Sequence, residues 1–126
     1  MIDELEKEIS GNSRIRAFLK KLKDGKAQQS DVSLYGADLG ECIARILNRS
    51  ISKDMSWDEL NGMAMPLFKE VHEKIYEAAS IVQKKEDEKD NIGIKPVKPD
   101  FPESKIHDLI YKIYETLKEQ EDGVQS

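Results

Sequence analysis

Cys42, His72 and His107 are the residues of this chain best suited to nucleophilic, proton-transfer or metal chemistry, and their number and spacing work against all three. A zinc site gathers three or four nitrogen, sulfur or carboxylate ligands on one point. Two distant histidines and one remote cysteine do not fall at any familiar ligand spacing. His72 precedes Glu73 within a helical pattern, but the second histidine of a metalloprotease helix is missing, so a surface histidine is the simpler reading. Cys42 would act as a nucleophile only with a histidine packed against it. It falls on an apolar stripe instead, the place of a buried structural thiol. Carboxylate pairs such as Asp58/Glu59 and Glu86/Asp87 fit a helix start and a solvated run. Acid–base catalysis also needs a pocket that shifts pKa values, and nothing in the residue order marks one. The expectation is a non-enzymatic protein with no catalytic residue, no metal and no cofactor.

What remains for function is recognition by surface. Trp57, Met63, Met65 and Phe68 gather around Pro66, where they could form an adaptable docking patch or, more simply, core at a helix kink. Tyr111 and Tyr114 lie on the last helical stretch, and only one can face fully inward. Ile92, Ile94 and Val97 punctuate the strap Asn91-Ile-Gly-Ile-Lys-Pro-Val-Lys-Pro-Asp-Phe-Pro102. Three prolines there fix φ and push the preceding residues towards extended conformations, so no helix runs through. The apolar side chains would be wasted on a free linker, which suggests that the strap lies against the body. The candidate contact residues are thus Ile92, Ile94, Val97, Tyr111, Tyr114, Trp57 and Met63.

The elements that must position these residues are helical. Residues 1–10 carry a weak spacing at Ile2, Leu5 and Ile9, consistent with a frayed turn or a segment ordered by a partner. Asn12 or Ser13 can cap a helix with Ile15, Phe18, Leu19 and Leu22 on one face, stopped by Asp24-Gly25. A second helix starts at Ser30 or Asp31 and carries Val32, Tyr35, Leu39, Cys42, Ile43 and Ile46 to about Asn48. Gly36 and Gly40 within it point to close helix packing or to a break in its first turns. Ser56 and Glu59 form a capping box, and the helix that follows should kink or split at Pro66. Beyond Pro66, Leu67, Phe68, Val71, Ile75, Ala78, Ala79 and Val82 form the longest stripe. Residues 84–90 are a mixed-charge tract suited to a solvated helix end or a loop. Asp100 and Glu103 repeat the capping-box spacing before a final helix with Ile106, Leu109, Ile110, Ile113 and Leu117. A tail from Glu119 to Ser126 is expected to be mobile. The fold class is all-α, a bundle of four or five helices with a proline-rich extended strap before the last one, in a single domain.

Composition narrows the partners. The 126 residues fit one domain with a modest core. Acidic and basic residues, 25 against 20, are interspersed, so no broad basic face for nucleic acid is evident. No apolar run approaches membrane-spanning length, and the acidic start Met1-Ile-Asp-Glu-Leu-Glu lacks signal-peptide order. A lone cysteine excludes an internal disulfide and suits a reducing cytoplasm.

Several of these segments resemble a group of small proteins encoded by phages and prophages of Firmicutes. The shared pattern is Val82-Gln83, the strap Asn91-Ile-Gly-Ile-Lys-Pro, and the helix Ile106 to Ile110, with Leu34-Tyr-Gly-Ala-Asp-Leu-Gly-Glu41 fitting as well. The likeness spans roughly residues 30–118. It implies a minor structural or head-associated phage protein, in the host cytoplasm or the virion, that binds a protein partner or itself as a homo-oligomer. The members of that group continue beyond the last helix, whereas this chain stops at Ser126, and no catalytic residue carries over. The alternative is a phage accessory protein that binds and inhibits a host enzyme or defence system.

Overall fold

Helix ends in this protein are set by identifiable side chains. A computed structural model describes residues 2–90 and 100–125, with side chains for residues 2–85 and 100–119. The described chain forms five helices and no strand: α1 (Ile2–Gly11), α2 (Ser13–Lys23), α3 (Gln29–Ser50), α4 (Trp57–Asp90) and α5 (Glu103–Gln125). The Asn12 side chain caps α2, accepting from the Ile15 amide at 3.1 Å. At the other end of α2, Gly25 adopts φ +73°. Around it the Gly25 amide donates to the Leu22 carbonyl and the Lys26 amide to that of Lys21, the paired bonds of a Schellman turn. Helix α3 begins slightly before the Ser30 or Asp31 expected, because the Asp31 carboxylate accepts from the Gln28 amide at 2.9 Å and draws the cap upstream. The Ser56/Glu59 capping box forms as anticipated, with the Glu59 amide donating to Ser56 Oγ at 3.1 Å.

Four expectations need correction. Residues 2–11 are not a frayed turn: α1 is helical, with Leu5 and Ile9 buried in the core. Its charges are matched across helices, Arg49 meeting Glu4 at 3.7 Å and also Glu8, and Lys74 meeting Glu6 at 2.9 Å. Pro66 does not split the fourth element, since α4 runs through it and through the mixed-charge tract as one 34-residue helix, about 51 Å long. Finally, α5 starts at Glu103, its first helical bond running from the Ile106 amide to the Pro102 carbonyl. Asp100 therefore lies too far upstream to complete a capping box with Glu103. Helix α5 continues to Gln125, through the stretch expected to be a mobile tail.

The core is built along α3 and α4, the most extensively packed pair of helices. Helix α3 buries Val32, Tyr35, Leu39, Cys42, Ile43, Ile46 and Leu47, and α4 buries Leu60, Ala64, Leu67, Val71, Ala78 and Val82. Each fully buried aliphatic side chain contributes about 1.5–3 kcal/mol. Gly36 supports this seam: a Cβ there would stand 3.3 Å from Ile75 Cδ1, whereas one on Gly40 would meet nothing within 4 Å. Close packing thus explains one of the two glycines. Helices α1 and α2 pack on α3 and also touch α4, while α5 rests on α4 alone among the helices.

Candidate functional site

Helix α5 buries one narrow line, and large side chains beside that line stay exposed. Ile110 is fully buried, and Ile106, Ile113, Tyr114 and Leu117 pack partly against the core. Leu109, counted from its spacing among the inward residues, is 44% exposed. A helix resting on a single neighbour cannot cover a stripe that wide.

One flank of the buried line is aromatic. His107, Tyr111 and Tyr114 recur at i, i+4 and i+7, which aligns them along one side of the helix. All three meet Trp57 from the first turn of α4 in edge-to-face contacts, with ring centroids 5.1 Å, 5.4 Å and 5.9 Å away. Such pairs add about 0.5–1.5 kcal/mol beyond their buried area. The Lys118 ammonium lies 5.3 Å from the centre of the Tyr114 ring and donates to the Lys53 carbonyl at 3.1 Å. This cluster latches α5 to α4 and the loop before it, yet Tyr111 remains 46% exposed at its outer edge.

The other flank of α5 opens on a hollow of about 480 Å³ between α5 and the end of α3. Ile51, Leu109, Ile113 and Leu117 supply its apolar surface, joined by Lys53 and Lys112. The two flanks bracket the buried line.

The structure therefore unites three of the residues singled out from sequence, Trp57, Tyr111 and Tyr114. Met63 does not join them at the surface; together with Met65 and Phe68 it packs partly buried against the core, as the simpler reading of that cluster had it. Ile92, Ile94 and Val97 lie outside the described residues. At the strap's end, Phe101 packs edge-to-face on His72 at 5.4 Å, and Lys69 Nζ sits 5.9 Å from the same ring. His107 was missed as part of the cluster, although its spacing to Tyr111 and Tyr114 was readable. Trp57 as the common partner was not, because that contact joins residues 50 or more positions apart in sequence.

Titratable groups with displaced pKa values lie in or beside the core. Burial pushes the Tyr35 hydroxyl and the Cys42 thiol up. For Lys74, desolvation works downward, but the hydrogen bond and charge of Glu6, helped by Glu70, outweigh it and raise the pKa. Among the described residues no group of three His, Cys, Asp or Glu side chains is arranged to hold a metal ion. Nor is any described helix long and apolar enough to cross a membrane. No family model, curated protein or solved structure matches this chain.

Proposed function

We propose that this chain is a non-enzymatic, phage-encoded structural or assembly protein that acts through protein–protein contacts. The observation that carries the reading is the pair of flanks on α5, where Leu109 and Tyr111 stand 44% and 46% exposed on a helix already latched in place by Trp57. Tyrosine presented on a rigid support gives contact area at little entropic cost, and aromatic residues are enriched where proteins meet. The partner is another protein or another copy of the chain, and the working surface is α5 rather than a catalytic cleft. The resemblance of residues 30–118 to phage head-associated proteins supports the phage setting.

The test is composition. Particles purified from a producing culture should contain peptides of this chain, and Leu109→Asp combined with Tyr111→Ser should remove them while leaving the helical content of the purified protein unchanged. A chain missing from particles that instead captures one host enzyme saturably would contradict the proposal and mark it as an inhibitor.

A further inference from the structure

Helices α2 and α3 run antiparallel, their register set by Arg14 against Asp38 at 3.9 Å, Phe18 stacked on Tyr35 at 4.5 Å, and Lys21 against Asp31 at 3.7 Å. Between them, on the outer face, lies an open groove of about 450 Å³. Each wall reads in steps of i, i+3, i+4 and i+7: Arg14, Ala17, Phe18 and Lys21 on α2, then Asp31, Leu34, Tyr35 and Asp38 on α3. One wall is basic at both ends, the other acidic at both ends, and the stacked rings form the floor. Leu34 stands above that floor 66% exposed, the highest value among the exposed large hydrophobic side chains.

We propose that a second copy of this chain docks face to face on the groove, related by a two-fold axis running along it. The proposal goes beyond the docking reading above and concerns a second surface, away from α5. A two-fold contact brings the same patch against itself, so the patch must complement its own image. Two placements of the axis are possible. With the axis across the groove, the basic wall lies on the basic wall of the partner copy and the acidic on the acidic. With the axis along the groove, α2 of each copy covers α3 of the other, Arg14 faces Asp38, and Lys21 faces Asp31. The charge pattern selects the second arrangement. It also sets Leu34 of each copy opposite Ala17 of the other, since both lie midway between the charged ends, and a large side chain then projects onto a small one. The ion pairs within each chain do not forbid this: they are long and single-pronged, and a carboxylate offers about four acceptor sites, of which Asp31 gives one to the Gln28 amide.

The face is small. Helix α2 has 11 residues and is about 16 Å long, and two neighbouring helices together make a face about 20 Å wide, so the face offers roughly 300 Å² per copy. Stable specific interfaces bury about 1,200 Å² or more in total, so the dimer is weak and dissociates on dilution.

Sedimentation equilibrium of the full chain, reduced and in low salt, tests this up to about 1 mM, the weak end of the affinity scale. The mean mass should rise towards that of a dimer with concentration, and fall back as salt screens the charged walls. Arg14→Glu and Asp38→Lys should each abolish the rise, because each makes one end of both walls alike in charge. An equimolar mixture of the two variants should restore it, since every facing pair is then opposite in charge. Both variants lose the same ion pair within the chain, so restoration on mixing separates docking from a general structural effect. Helical circular dichroism of each variant checks that the fold is kept. A wild-type chain that stays monomeric throughout, or variants that self-associate like wild type, would overturn the proposal. Either result leaves recovery of the chain in particles through α5 unaffected.

Discussion

Gly36 and Gly40 stand one turn apart on α3, and the same substitution should act differently on them. Gly40→Ala adds a methyl group into open space on a helix interior, so it should stabilise by about 1 kcal/mol in denaturant melts. Gly36→Ala brings a methyl group to 3.3 Å from Ile75 Cδ1 and should gain measurably less. Their presence was plain from the sequence; which of them marks a helix contact was not, because that depends on Ile75 in another helix. Ile110 shows the same limit. Its place in an apolar stripe was evident, but that it alone among the described side chains of α5 would be fully buried followed only from how α5 lies on α4. Ile110→Ala should cost about 2–5 kcal/mol. By contrast Leu109→Ala, at a largely exposed position, should stay within about 0.5 kcal/mol.

Element boundaries were legible wherever one side chain decides them. Asn12, Gly25 and the Ser56/Glu59 box all act where their chemistry placed them. They failed where tertiary contacts outweigh local preference. Helix α1 holds because Leu5 and Ile9 are buried against the core, with Arg49 and Lys74 from other helices meeting its acids. Helix α4 absorbs Pro66 because Ala64, Leu67 and Val71 on either side of it are buried against the core. That residue still forfeits an amide and crowds the preceding turn, so Pro66→Ala should stabilise by as much as about 3 kcal/mol, read as a rise in the denaturation midpoint. With a single neighbouring helix, α5 has the least to hold it. Its backbone amides should exchange with deuterium before those of α3, and Trp57→Ala, which removes the aromatic latch, should speed exchange in α5 selectively.

For the molecule as a whole, pH dependence follows from groups in and beside the core along α3 and α4. Tyr35, Cys42 and Lys74 all have raised folded-state pKa values. Their contribution is fully present below the unfolded values of about 8.5 for cysteine and about 10 for tyrosine and lysine. It is lost as pH rises through the higher folded values, so stability should fall steadily above about pH 9. Cys42 should accordingly resist thiol reagents until the bundle opens. The helical architecture and its order were readable from periodicity, and Tyr111 was singled out because two tyrosines on one helix cannot both face inward, whereas the exposure of Leu34 and Leu109 was not readable, because they differ from core residues only in what fails to cover them. On the proposed function, that uncovered exterior is the working part of the molecule. Quantitative mass spectrometry of gradient-purified particles tests this most directly. The chain should co-sediment at a fixed ratio to the capsid proteins, and the Leu109→Asp, Tyr111→Ser variant should be lost from them while persisting, folded, in the lysate. Wild-type protein abundant in the lysate but absent from the particles, or a variant retained as well as wild type, would contradict it.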